Sequence, residues 1–261
     1  MAQDTRPHIE PKQLFGNSRI KFACHKGLSC FTRCCRGIDI SLTPYDVIRL
    51  KKRLSLPSDE FLAVYTRLEL LEKTDLPVPL LQQLDDEEKS CPFVREEGCL
   101  IYEDRPSACR YYPVGQGSMR AQYADQTEPF YFTVHEDHCR GYEEDREWTI
   151  DEWRADQGVD LYDRENAEWI ELLLHKRSFP NVVRLTPEAK RLYFMACFDM
   201  DRFRRFVFES RFLTAHKVDE AVVEKIRTDD IELMKFGSLW LTGVFFKQGP
   251  YAPPAQEGEK K

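Results

Sequence analysis

The chain has 261 residues, 42% hydrophobic and 32% charged, which excludes a disordered chain and suits a soluble globular protein. Its 38 Lys and Arg against 45 Asp and Glu leave a formal charge of −7, so there is no global basic footprint for nucleic acid. The longest uncharged apolar run, Phe236 to Phe246, is well short of the about 20 residues of a bilayer span, and the polar stretch Met1 to Ile20 is unlike a secretory signal; the reading is a cytoplasmic protein without a membrane partner.

In chain order, Arg19 to Cys24 alternates polar and apolar residues and reads as a short strand. It feeds a loop, His25 to Gly37, that carries Cys30, Cys34 and Cys35. Thr43-Pro44-Tyr45-Asp46 predicts a helix start, with Thr43 as cap, Pro44 in the first turn and Asp46 completing a capping box. Val47, Leu50 and Leu54 follow on one face. Ser58-Asp59-Glu60 opens a second helix, expected to run to about Glu72. Asp85 to Glu88 reads as a solvated acidic stretch.

Two apolar runs, Cys91 to Val94 and Cys99 to Tyr102, flank the polar turn Arg95 to Gly98 and predict a hairpin. A helical turn is expected at Arg105 to Arg110, and one or two strands within residues 119–134. Beyond Trp148 the pattern turns helical. Thr149 to Glu152 has capping-box spacing, Arg164 to Lys176 reads as a helix, and Thr186 opens a long apolar helix reaching about Ala215. Two more helices are expected near 219–227 and 229–246, and the tail Gln248 to Lys261 reads as disordered. The fold class is therefore α+β. A loop-rich, metal-stapled half at 1–147, with short strands and helices, precedes a helical region at 148–247 and the tail at 248–261.

Nine cysteines dominate the functional signal, because eight of them lie between Cys24 and Cys139. Their pattern is Cys24-x5-Cys30-x3-Cys34-Cys35, then Cys91-x7-Cys99-x9-Cys109, with His138-Cys139 downstream. In a reducing compartment such clustering points to metal rather than disulfides. Thiolates are the soft ligands of zinc, copper(I) and iron–sulfur clusters. The candidate metal ligands are Cys24, Cys30, Cys34, Cys35, Cys91, Cys99, Cys109 and Cys139. Neither Cys30 to Cys35 nor Cys91 to Cys109 offers four ligands by itself, so the two groups are expected to meet in space. Cys34 and Cys35 point in different directions in extended backbone and are expected to take different roles. Cys197, between Ala196 and Phe198 on an apolar helix, reads as core.

Several fragments together resemble a known family: Cys30-x3-Cys34-Cys35-Arg36-Gly37, Leu42-Thr43-Pro44-Tyr45-Asp46, Cys91-Pro92-Phe93, Gly98-Cys99-Leu100-Ile101-Tyr102 and Arg105-Pro106-x2-Cys109-Arg110-Tyr111-Tyr112-Pro113. They are similar to the YkgJ-like, or CxxCxxCC, cysteine-cluster proteins described as zinc- or iron-chelating, over about residues 20–140. The resemblance implies metal chelation and supplies no reaction. The cysteine gaps here, five, three and none, depart from the family's two-residue spacing.

The metal is read from spacing. There is no Cys-x2-Cys hook of the usual structural zinc site, and no ferredoxin Cys-x2-Cys-x2-Cys-x3-Cys run, although Cys91-Pro92 echoes the Cys-Pro of ferredoxins. An iron–sulfur cluster or iron is placed ahead of zinc. Lys21, Lys26, Arg33, Arg36 and Arg110 are the cations expected to offset the negative charge of bound thiolates.

Sharper catalytic motifs fail. Gly37 stands where a radical-SAM-like Cys-x3-Cys-x2-Cys needs its third cysteine. His135-Glu136-x-His138 is one residue too short for a zincin, and Gly115-x-Gly117 lacks the third glycine of a dinucleotide loop. His25 and His138 adjoin cysteines, where surface or supporting roles outweigh ligation. Two classes stay open, an iron–sulfur protein with redox activity and a zinc-stabilised interaction module or metal carrier. No catalytic residue or substrate is legible; a protein partner stays open.

Overall fold

The computed structural model describes residues 8–9, 12–120, 127–178 and 185–252. Tyr123, Pro180 and the end of the tail, 253–261, lie outside them. The fold is α+β, with short antiparallel sheets and a helical C-terminal half. It comprises two compact units, each built from two separate stretches: residues 1–40 with 83–161, and residues 41–82 with 162–261.

In the first unit, Thr127–His135 is the centre of a three-stranded antiparallel sheet, between His8–Ile9 and Val114–Arg120. The predicted first strand forms as Arg19–Lys21 and pairs with Glu147–Thr149, setting Ile20 opposite Trp148. The core gathers Leu14, Ile20, Phe22, Val114, Tyr131, Trp148, Ile150 and Trp153. The indole nitrogens of the two tryptophans find backbone acceptors, Trp148 Nε1 donating to Phe22 O at 2.9 Å and Trp153 Nε1 to Tyr111 O at 3.1 Å. A buried tryptophan thus keeps its one donor satisfied. The predicted hairpin forms as Val94–Arg95 against Gly98–Cys99, and the helical turn as Ser107–Tyr111. Thr149 and Glu152 complete the expected capping box on the Ile150–Gln157 helix.

In the second unit the Pro44–Leu54 helix starts as its sequence dictates. The Thr43 amide donates to Asp46 Oδ2 at 2.8 Å, and Asp46 N to Thr43 Oγ1 at 3.2 Å. The next helix is shorter than expected, ending at Tyr65. Thr66–Leu70 is a strand paired with the fully buried Pro77–Leu81, a partner that periodicity within 58–72 does not reveal.

The long helix expected from Thr186 to Ala215 is three helices, Pro187–Phe198, Met200–Glu209 and Phe212–Ala215. Asp199 makes the first break. Its buried Oδ1 accepts from Arg202 N at 3.2 Å and from Ser58 Oγ at 2.7 Å, so a cap and a tertiary bond replace one helical turn. Asn166 interrupts the predicted Arg164–Lys176 helix in the same way: its amide group donates to Tyr162 O and Thr43 Oγ1 while its oxygen accepts from Tyr45 N. Lys51, almost buried, bridges Asp201 at 2.8 Å and Asp230 at 2.9 Å, joining three helices through one cation. Cys197 is fully buried beside Ser238, in the core position expected. The helices predicted near 219–227 and 229–246 form as Glu220–Thr228 and Asp230–Phe246. At the start of the tail, the Tyr251 ring meets Phe236 edge-on.

Candidate metal centre

Eight of the nine cysteines fall in the first unit, and none of the nine forms a disulfide. Backbone pairing carries the loop that follows the first strand to its partners. Ala23 N donates to Gly141 O at 3.0 Å, which sets Cys24 against the turn that ends in Cys139. Gly141 permits this approach, since a Cβ there would fall 2.5 Å from the Phe22 ring and 2.8 Å from Ala23 O. The loop itself descends through successive turns, among them Leu28 N to His25 O, Phe31 N to Leu28 O, Arg33 N to Cys30 O and Cys35 N to Thr32 O. Thr32 adopts a left-handed conformation, φ 65°, at the entry to the Arg33–Cys35 turn. On the other side, Gly37 N donates to Lys89 O and Cys91 N to Cys35 O at 2.8 Å, so the second cysteine group starts where the first ends.

The thiols that this arrangement brings together are Cys24, Cys30, Cys34 and Cys139. Burial, and then the neighbouring Cys34, Cys30 and Cys139, push the Cys24 thiol up to about 11. A bond from Cys35 and burial push Cys34 far above the usual thiol range, with Glu136 adding to the effect. Cys139 is raised by burial, partly offset by the Tyr112 hydroxyl, and it also senses Cys30 and Cys34. Cys91 and Cys99 are raised by burial and adjoin one another, and Cys99 senses Cys34, which links the hairpin to the loop. Cys109 is exposed on the Ser107–Tyr111 helix; the Arg105 guanidinium senses both it and Cys99. The Cys35 side chain bonds that of Cys34, and its backbone carbonyl accepts from Cys91 N.

The cations are arranged differently from expectation. Arg33 and Arg36 both bind Glu88, Arg36 Nε at 2.7 Å, and Lys21 faces Asp145 at 3.4 Å. Arg110 is buried and spends its guanidinium on the carbonyls of Arg105, Gln157 and Glu103. Arg105, stacked 3.9 Å over the Tyr102 ring, lies near Cys99 and Cys109, and Arg95 lies near Cys91. The signal of Arg105 in the sequence is the Arg-Pro that precedes Cys109. His25 is held at both ring nitrogens, by Gly27 N at 3.1 Å and Glu144 at 3.3 Å, a supporting role.

Three polar atoms beside these thiols are buried without a hydrogen bond: Tyr112 Oη, Glu136 Oε2 and His138 Nε2. Tyr112 adjoins Cys139 and Glu136, and Glu136 adjoins Cys34. Cys30 Sγ accepts from Arg140 N at 3.2 Å, the kind of N–H donor that stabilises a thiolate. Among the described residues no three His, Cys, Asp or Glu side chains stand as a preformed metal cage, so chelation requires the thiols to turn toward a common ion. Clustered soft donors, an N–H on sulfur and orphaned polar atoms fit a thiolate-held metal.

A family model described as "Putative zinc- or iron-chelating domain", CxxCxxCC, matches residues 23–155. The chain belongs to the CxxCxxCC family. The match spans all eight clustered cysteines and leaves Cys197 outside, as the burial of Cys197 also does. Two other comparisons found nothing: no curated protein and no solved structure matches the chain. No helix among the described residues is long and apolar enough to cross a membrane.

Proposed function

We propose that the cysteine-rich unit chelates iron, as a thiolate-bound ion or an iron–sulfur cluster, through Cys24, Cys30, Cys34, Cys35, Cys91, Cys99, Cys109 and Cys139. The observation that carries this reading is the convergence of one loop and one distant turn: Ala23 N bonds Gly141 O beside Cys24, and Arg140 N, next to Cys139, donates to Cys30 Sγ. A single tetrahedral ion accepts four donors, so eight thiols suit a cluster or two centres better than one zinc. Such an iron centre supplies one-electron redox chemistry when bound. What the chain's own residues supply is a set of thiols, most of them half-buried, an N–H donor to Cys30 and the nearby charge of Arg105.

Zinc, held structurally in an interaction module or metal carrier, is the second reading. The mixed set of sulfur, nitrogen and oxygen donors at Cys34, His138 and Glu136 favours it. Anaerobic purification followed by metal and acid-labile sulfide analysis separates the two. Iron with a visible band that dithionite bleaches supports the first; a colourless chain loaded with zinc supports the second. A chain that takes up neither metal rejects both.

A further inference from the structure

The turn that delivers Cys139 carries two more donors. Cys139 N donates to Glu136 O at 2.8 Å, closing a four-residue turn from Glu136 to Cys139. Across this turn Glu136 Oε2 stands 3.5 Å from His138 Nε2. Both atoms are fully buried, and neither has a hydrogen-bond partner. The Glu136 side chain is 12% exposed and that of His138 35%.

A buried carboxylate oxygen facing a buried imidazole nitrogen ordinarily closes to a charge-assisted hydrogen bond of about 2.7–2.9 Å. Here the gap stays wider, and neither atom regains by hydrogen bonding the solvation it lost on burial. The spacing has a simple source. Two ligands on one tetrahedral ion, with bonds of about 2.0–2.1 Å to nitrogen and oxygen, stand about 3.4 Å apart. The Tyr112 hydroxyl adjoins Glu136, and Cys34 senses the Glu136 charge, so a sulfur donor lies in the pair's neighbourhood.

We propose that Glu136 and His138 bind the same metal ion as Cys34, so that the centre has a nitrogen–oxygen edge in addition to its thiolates. The pair approaches through side chains two residues apart on a tight turn, a chelate the backbone holds before the metal arrives. Tyr112 donates its hydroxyl proton to the bound carboxylate or to the Cys139 sulfur, orienting the ligand it touches. The ion is zinc or iron, in line with the metal reading on which this proposal rests.

X-ray absorption at the edge of the metal found in the anaerobically purified chain tests the edge directly. The wild type is expected to show nitrogen or oxygen at about 2.0–2.1 Å beside sulfur at about 2.3 Å. Glu136→Gln and His138→Gln should lose that nitrogen–oxygen shell and retain metal about tenfold or more weakly against a competing chelator. Asp137→Asn, on the same turn, should change neither. Melting the metal-free proteins guards against misfolding: if the pair is a metal edge, metal-free Glu136→Gln melts no lower than the metal-free wild type. An all-sulfur shell in the wild type, or metal retention unchanged in both variants, overturns the nitrogen–oxygen edge alone. A marked loss of stability confined to the metal-free variants assigns the pair to a structural ion pair and overturns it as well. A wild-type chain free of iron and zinc overturns the metal reading beneath it.

Discussion

Ala23 donates its amide to the carbonyl of Gly141 at 3.0 Å, and this one backbone bond brings Cys24 beside Cys139 from the far end of the cysteine-rich sequence. The bond depends on a residue with no Cβ. Any side chain at 141 would meet the Phe22 ring and the backbone of Ala23, neither of which can swing aside.

Gly141→Ala should therefore destabilise the protein by about 1–3 kcal/mol, the usual cost of overpacking a close contact. It should also lower bound metal per chain, because Cys24 and Cys139 part. Urea melts with metal analysis check both. A variant with wild-type stability and metal content would show that the approach of these two segments does not shape the site.

Cys24, Cys34 and Cys139 sense neighbouring thiols, whereas Cys197 is buried beside Ser238. Cys34→Ser and Cys139→Ser should lose most of the bound metal, whereas Cys197→Ala should keep it at a packing cost on the order of 1 kcal/mol. Cys35→Ser should be milder than Cys34→Ser, because Cys35 holds Cys91 through its backbone carbonyl, which serine keeps. Metal-to-protein ratios across the series decide it, and equal losses at 34 and 197 would contradict the arrangement.

Metal uptake should be strongly pH dependent. Burial and neighbouring thiols raise Cys24 to about 11, and they also raise Cys34, Cys91, Cys99 and Cys139, so near neutral pH these thiols hold their protons. A metal must displace them, and apparent affinity then rises with pH, up to about tenfold per unit for each proton released. Competition with a chelator at pH 6.5 and 8.0 measures the slope. A flat profile would mean that fewer thiols bind than the cluster contains.

Chelation of the loaded protein should lower its melting temperature by more than a typical point substitution does, because the loop from His25 to Gly37 has little apolar core of its own. Thermal melts before and after verified metal loss provide the measurement. Coincident curves would remove the idea that the metal staples this unit.

In the helical unit, Lys51 answers to a different titration. Burial would lower its pKa, but hydrogen bonds to Asp201 and Asp230 win and raise it. Asp201 is likewise lowered: burial opposes, while Lys51 and the Ser58 amide favour the carboxylate. A depressed carboxylate adds stability above its unfolded value of about 4 and loses it as pH falls through its lower folded value. Lys51→Met should cost on the order of 2 kcal/mol at pH 7, since it leaves two acids without their shared cation. Urea melts from pH 7 to pH 3 should show that penalty shrinking as Asp201 protonates. A constant penalty would mean that Lys51 acts through packing alone.

What the sequence determined by itself was local. The Thr43–Asp46 and Thr149–Glu152 caps, the hairpin around Gly98 and the core role of Cys197 each depend on residues a few positions apart, so spacing alone exposes them. The cysteine cluster was legible for the same reason, as a density of soft donors. Tertiary structure decided the rest. The apolar stretch after Thr186 reads as one helix until Asp199 finds Ser58, and 66–70 reads as helix until it finds 77–81. Within the cysteine-rich unit, which thiols face one another follows from the Ala23–Gly141 and Cys35–Cys91 backbone bonds, and Arg105 takes the place expected of Arg110 because Arg110 is consumed by three carbonyls. A cap is settled by energies within one turn; a break, a strand partner or a shared ligand set is settled by a partner that only the folded chain supplies.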